Sequence, residues 1–274
     1  MDYRNRLTIT RVTSAYWRVA LNNPPLNLFD PEMFAEFNVL MDDLERDKDV
    51  KIIVLESADP NYFCAHFDIT RSDVPDQPGA AAFGEWPRFV TRLATSRVVS
   101  VAKIRGRARG QGSEITLACD IRFASKEHAI FSQPEVGVSV VPGGGATEWL
   151  PALTGRSRAL EIFLGADDFD ADTAEKYGWV NRSIPDAELD AFVESFARRV
   201  SNFDPRALEL AKKTVNARAG IPTEAERWSS NQSFVTTTTW PDTQAKIGKL
   251  MGMGLQQDND LELNFGARIG DIAG

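Results

Sequence analysis

The sequence predicts an α/β fold: a mostly parallel sheet with crossover helices over residues 1–200, then a helical tail over 201–274. Three observations predict it. The runs KIIVLES (51–57) and VVSVAKI (98–104) are continuously apolar at strand length, which suits a sheet buried on both faces rather than one facing water. Each is followed by an irregular turn and then a helical or loop segment, the order of a parallel sheet with crossovers. After about residue 184 no strand-like run is visible, and helical segments succeed one another.

The elements read in order as follows. LTITRVTSAYWRVALN (7–22) holds two β-rich runs split by Thr13-Ser14, a hairpin pattern. NNPPLN (22–27) breaks the chain. Asp30 then caps a helix with Pro31 at its first position, where the missing N–H costs nothing, and Met33, Phe37, Leu40 and Leu44 give that helix one apolar stripe. Residues 70–80 carry Pro75, Pro78 and Gly79 and read as a surface loop, followed by a helix over 81–95. Gly106, Gly110 and Gly112 place a turn before the helix SEITLACD (113–120), and IRFAS (121–125) and AIFSQ (129–133) read as short extended pieces. VVPGGG (140–145) is another breaker. Helices are expected over 156–164, 170–177 (between Asp170 and Gly178), 186–202, 205–219 (between Pro205 and Gly220) and 223–239. The four threonines 236–239 make a poor helix interior because β-branching restricts χ1. In the tail, Phe234, Trp240, Ile247, Leu250 and Met251 offer apolar surface either to the body or to another subunit.

Composition narrows the function. Lys and Arg number 31 against 39 Asp and Glu, so the net charge of −8 argues against a nucleic-acid protein, whose affinity comes largely from neutralising phosphates. A small polyanionic ligand held in a local basic patch stays open. Hydrophobic residues at 43% exclude a disordered chain. No run of about 18 apolar residues predicts a membrane span, and MDYRNRLTIT lacks the apolar core of a secretory signal. Cys64 and Cys119 are the only cysteines, which leaves neither a disulfide framework nor a zinc-type CxxC, and a reducing, cytoplasmic setting is expected.

Several residues can carry chemistry. Glu114 opens the nearly apolar helix EITLAC, either as a first-turn acid complementing the helix dipole or as a carboxylate with a perturbed pKa at a cleft. Glu135 follows Ser132-Gln133-Pro134 after extended segments that can return it to the same side of the sheet. Two carboxylates facing one water form an acid/base pair, although an acidic loop residue after a proline is the plain alternative. FCAHFD (63–68) and GRARGQG (106–112) are irregular turns after buried strands, and such turns can aim two backbone N–H groups at one oxyanion. GxxxGxG is neither a dinucleotide fingerprint nor a P-loop. Lys103, Arg105, Arg107 and Arg109 alternate, as on a solvated strand edge or an electropositive lip for a phosphorylated ligand. His66 and His128 are too few for a metal site, and His66 reads as a packing or loop residue near the proposed site. Cys64 reads as a small buried residue, and no GxSxG marks a hydrolase nucleophile.

Taken together and in order, NPPLNLFD (23–30), KIIVLES, FCAHFDI, VAKIRGRARGQGSEITLACDIRFAS, FSQPEVGVSVVPGGGATEWLPALTG and FDADTAEKYGWVNRSIP (169–185) resemble the crotonase, or enoyl-CoA hydratase/isomerase, superfamily. The resemblance implies a crotonase-like ββα spiral with a helical C-terminal trimerisation region. It implies an acyl-CoA substrate of fatty acid metabolism, no cofactor apart from the substrate's own coenzyme A, no nucleic-acid or membrane partner, no metal, and a homotrimer or dimer of trimers. The backbone N–H groups of Phe67 and Gln111 would form the oxyanion hole, Glu114 would orient or activate water, and Glu135 would exchange the α-carbon proton. Ala65, His66, Asp68, Ile69, Arg109 and Gly110 would contact substrate. Both glutamates being present favours hydration of an α,β-unsaturated acyl-CoA. Isomerase, hydrolase or decarboxylase chemistry on an acyl-CoA, and a non-catalytic acyl-CoA-binding scaffold, are the alternatives. His66 stands where the family usually has Gly, Gln111 where it has the middle Gly of GGG, and Arg109 where an apolar residue is common. These departures point to an unusual acyl group, polar or bulky.

Overall fold

The computed structural model describes residues 6–71 and 78–272. β1 (Leu7–Arg11) and β2 (Tyr16–Leu21) form the expected antiparallel hairpin. Asp30 caps α1 (Pro31–Arg46), accepting the Met33 amide at 2.7 Å, and the stripe Met33, Phe37, Leu40 and Leu44 is buried. β3 (Ile52–Ser57), β4 (Tyr62–Cys64), α2 (Pro78–Thr95), β5 (Val99–Ile104), β6 (Arg107–Arg109), α3 (Gln111–Ala118), β7 (Ile121–Ser125) and β8 (Ile130–Ser132) follow. Then come α4 (Ala146–Thr154), α5 (Arg156–Gly165), β9 (Phe169–Asp170), α6 (Ala171–Tyr177), β10 (Arg182–Ile184) and α7 (Asp186–Ser201). The tail is α8 (Pro205–Ala219), α9 (Glu224–Thr238), α10 (Pro241–Gly252), α11 (Asp260–Leu263) and α12 (Phe265–Ile269). Of the loop expected at 70–80, residues 72–77 lie outside the described residues, and α2 begins at Pro78, earlier than the sequence suggests.

Two sheets result. The larger runs β1-β2-β3-β5-β7-β10, parallel from β2 onward, and the smaller runs β4-β6-β8-β9. The continuous apolar runs are explained by burial on both faces of the larger sheet. Ile53 and Leu55 face the main core with α1 and α2, whereas Ile52 and Val54 face a second cluster with Leu189, Val193, Ala197 and Val200 of α7. Successive side chains of a strand point to opposite faces, so a strand covered on both sides favours apolar residues at most positions.

The structure corrects the reading of 106–112 as a turn alone, because Arg107–Arg109 is a strand lying between β4 and β8. The threonines do not interrupt α9 before Thr238. Thr236, Thr237 and Thr238 donate their hydroxyls to carbonyls three or four residues back at 2.7–2.9 Å, so each polar group finds a partner inside the helix. α4 was not foreseen, since it follows the glycine run and carries Pro151 inside it.

The tail folds back on the body. Leu250, Leu255, Leu261, Phe265, Ile269 and Ile272 form an apolar cluster against Ile69 and Val138. Of the tail residues singled out in the sequence, Leu250 is buried and Trp240 stays half exposed.

Asp30 ties three segments together. Besides the α1 cap, its Oδ2 accepts Arg6 Nε at 2.9 Å and Asn23 Nδ2 at 3.0 Å. Asp30→Ala should destabilise the fold by about 2 kcal/mol, a cap plus a part-buried ion pair, and lower Tm by several degrees in calorimetry.

Candidate active site

β4, β6 and β8 run parallel, with Cys64 opposite Ala108 and Arg109 opposite Ser132. Their carboxyl ends therefore deliver residues 65–67, 110–111 and 133–135 to one place, the end of an α/β sheet where ligands gather. A cavity of about 130 Å³ lies there, lined by His66, Phe67, Gln111, Glu114 and Glu135 among mostly apolar neighbours.

Backbone contacts shape its wall. The Phe29 amide donates to the His66 carbonyl at 2.9 Å, and the Phe29 carbonyl accepts the Asp68 amide at 3.1 Å. In a trans peptide C=O and N–H point opposite ways, so the Phe67 N–H is turned away from Phe29. Gln111 is the first residue of α3, where an amide has no acceptor within the helix. A side chain at Gly112 would collide with the Cys64 carbonyl, and that close approach holds the first turn of α3 against the end of β4. Gly110, at φ +49°, makes the left-handed bend between β6 and α3 that favours glycine.

Glu114 is buried, and its Oε1 accepts the Gly144 amide at 2.8 Å and the Ala146 amide at 3.3 Å. A side chain at Gly144 would collide with the Glu114 carboxylate, while its carbonyl accepts Trp86 Nε1 at 2.9 Å. The run read as a breaker is thus the seat of an acid. Glu135 is half-buried in a turn of 3₁₀ helix. The fully buried Gln133, with its amide oriented to suit its neighbours, donates to both Glu135 oxygens at 3.1 Å and accepts Ser113 Oγ at 3.0 Å. Glu135 Oε1 lies 3.0 Å from where a Cβ on Gly110 would stand, so a side chain there would crowd the carboxylate.

Burial raises the Glu114 pKa from 4.5 to about 7, outweighing the two backbone N–H bonds, and the charge of Glu148 adds to the rise. Burial also holds Glu135 well above the usual carboxylate range, and the charge of Glu114 raises it further. Burial of both acids, with the Glu114 charge acting on Glu135, keeps a proton on the pair near neutral pH.

The sequence of the chain matches the enoyl-CoA hydratase/isomerase family profile over residues 12–256. The chain belongs to this family. It is 32% identical over 200 residues to the short-chain-enoyl-CoA hydratase of Clostridium acetobutylicum, covering 72% of this chain and 76% of that protein. It is 30% identical over 209 residues to the crotonyl-CoA hydratase of Syntrophomonas wolfei, covering 76% and 79%. The crystal structure of a candidate enoyl-CoA hydratase from Streptomyces avermitilis superposes with a TM-score of 0.94 at 38% identity, covering 100% of this chain and 99% of that one.

Within this family fold, the residues expected at the site divide into two groups. His66, Phe67, Ile69, Gly110, Gln111, Glu114 and Glu135 line one cavity. Ala65, Asp68 and Arg109 do not. Ala65 is buried beside Leu26 and Tyr62, and Asp68 accepts Gln256 Nε2 at 2.8 Å. Arg109 is fully buried and grips Asp168 through Nε and Nη2 at 2.8 and 2.5 Å, with its remaining donors on the carbonyls of Glu262 and Leu263. It clamps the tail from outside the residues that line the cavity. The basic run is engaged by partners within the chain rather than standing as a bare solvated edge. Lys103 pairs with Glu56 and Asp190, Arg105 with Asp186 and Asp190, and Arg107 donates to the Leu263 carbonyl. Lys103 lies on the larger sheet and Arg107 and Arg109 on the smaller, with Arg105 between strands, so strand alternation does not align them.

Sequence reading missed Gln133 as the holder of Glu135, and missed the amides of Gly144 and Ala146 as holders of Glu114. The repeated glycine of 143–145 was the available signal for the latter. Phe234, Ile247, Leu255 and Phe265 of the tail close the cavity. Among the described residues no cluster of three or more His, Cys, Asp or Glu could hold a metal ion.

Ionising Glu114 is harder in the folded chain than in the unfolded one. Its contribution to stability is therefore full below about pH 4.5 and is lost as pH rises through about 7. Glu114→Gln keeps an oxygen for the two amides without that loss. Melting curves at pH 5 and pH 8 should show the variant gaining on the wild type by several degrees between the two.

Proposed function

We propose that this protein is an enoyl-CoA hydratase that adds water across the C2=C3 double bond of an α,β-unsaturated acyl-CoA. The observation that carries this is the pair of acids, Glu114 and Glu135, facing one mostly apolar cavity with raised pKa values. The names of the relatives support it. In this reading ionised Glu114 takes a proton from water, and the oxygen bonds to C3. The π electrons move onto the thioester oxygen, which the Phe67 and Gln111 amides stabilise. Protonated Glu135 then gives its proton to C2, and the pair has exchanged one proton for another. The order of acidity suits these roles, with the weaker acid as donor and the one near neutrality as base. The acid–base steps call on no cofactor beyond the coenzyme A of the substrate.

We further propose a homotrimeric assembly. Leu210 and Val215 on α8, with Val235 and Trp240 beyond it, expose apolar surface that a neighbouring copy would cover. Light scattering should give about three times the chain mass, and a monomer at micromolar concentration would overturn the assembly.

Glu114→Gln and Glu135→Gln should each lower the rate of enoyl-thioester loss by roughly 10²–10⁴-fold. Mass spectrometry should find the product one water heavier, with no free coenzyme A. Wild-type kcat should rise as Glu114 ionises near pH 7 and fall at higher pH as Glu135 loses its proton. Full activity in both variants would end this assignment.

A further inference from the structure

The His66 ring, little exposed, has both nitrogens against oxygen atoms. Nδ1 lies 2.7 Å from the Phe67 carbonyl and Nε2 lies 3.1 Å from Glu262 Oε1, on α11 of the tail. A carbonyl oxygen only accepts. Glu262 Oε1 already accepts the Gln256 amide at 2.6 Å, and the whole Glu262 side chain is buried. Beside an ionised Glu262, a neutral imidazole would set a nitrogen lone pair against one of these oxygens, whereas a ring protonated on both nitrogens satisfies both contacts.

The other charges around it leave this arrangement standing. Arg109 of β6 opposes the cation, but Asp168 neutralises it. Glu114 and Glu135 share the cavity wall with His66, and Asp68 is held by Gln256 from the tail. Burial works against the charge on His66, and the charge and hydrogen bond of Glu262 more than offset it, so the His66 pKa is raised above its ordinary value. Burial likewise works against Glu262, and His66 brings its pKa below the usual value.

We propose that His66 is a charged positioning residue for hydration. Its imidazolium is fixed between the Phe67 carbonyl and the tail's Glu262, where it supplies positive charge beside the Phe67 amide as the thioester oxygen becomes negative. The proposal rests on the hydratase reading above. The Phe67 carbonyl belongs to the same residue as the oxyanion amide, and the His66 hydrogen bond offsets the repulsion that carbonyl would exert on a developing anion. In a mostly apolar cavity such a charge is weakly screened. The same ring ties α11 to the wall, so the cation is complete only when the tail covers the site.

The chain has only two histidines, which makes the ring's charge directly readable by ¹⁵N NMR of the full-length protein. One imidazole should keep both nitrogens protonated at pH 8, and the assignment should pass to His66 when His66→Gln removes that signal. In Glu262→Gln the same ring should lose a proton between pH 6 and pH 8. His66→Gln should lower kcat roughly 10- to 100-fold with KM little changed and no new pH dependence. Glu262→Gln should stay near wild type at pH 6 and fall toward His66→Gln as its ring becomes neutral, a pH profile that a purely structural role would not produce. Should His66→Gln fail to fold, the NMR titration and the Glu262→Gln profile carry the test alone. A neutral His66 in the wild type at pH 7, or wild-type kcat in His66→Gln, overturns the proposal. A charged His66 in a protein that hydrates no enoyl-CoA instead removes the hydratase reading and the catalytic role with it.

Discussion

Everything at this site depends on keeping two carboxylates, Glu114 and Glu135, in a place that disfavours their charge. Burial raises both pKa values, and the charge of Glu114 raises Glu135 further. The fold tolerates this by supplying hydrogen-bond donors to both acids. Glu114 takes two backbone amides from the glycine run, and Glu135 takes the side chain of a fully buried glutamine. The arrangement weakens the fold near neutral pH and in exchange holds one proton poised between two acids, the state acid–base chemistry requires.

The small sheet makes the convergence possible. Three parallel strands, β4, β6 and β8, end together, so residues far apart in sequence reach one cavity without long loops. At the site, a Cβ on Gly112 or Gly144 would displace a carbonyl or a carboxylate, and one on Gly110 would crowd Glu135. The large sheet stays clear of the chemistry and supplies rigidity. The aromatic cluster of Phe29, Phe34, Phe37, Trp86 and Phe89 links the two, since Trp86 both packs on Phe29 and lines the cavity.

Much of the secondary structure was legible because it obeys local rules. Asp30-Pro31, Asp170 with Gly178, and Pro205 with Gly220 mark helix ends by capping chemistry, and all are helix boundaries in the fold. The two glutamates were legible through the ordered resemblance, while their local context left a plain surface reading open in each case. Arg109 misled, since a run of alternating basic residues carries no mark of its partners. Its carboxylate, Asp168, sits 59 residues away, and the remaining acceptors are carbonyls in the tail.

The sequence by itself determined the class of fold, the positions of most strands and helices, and the residue types that could do acid–base work, because these follow from periodicity, capping and local composition. Only the tertiary structure decided which of those residues share a cavity, which acids are desolvated, and that the tail covers the site through His66 and Glu262. Desolvation and hydrogen-bond partnership depend on what packs around a group, and that neighbourhood is assembled from segments up to about 200 residues apart, as the separation of 196 between His66 and Glu262 illustrates.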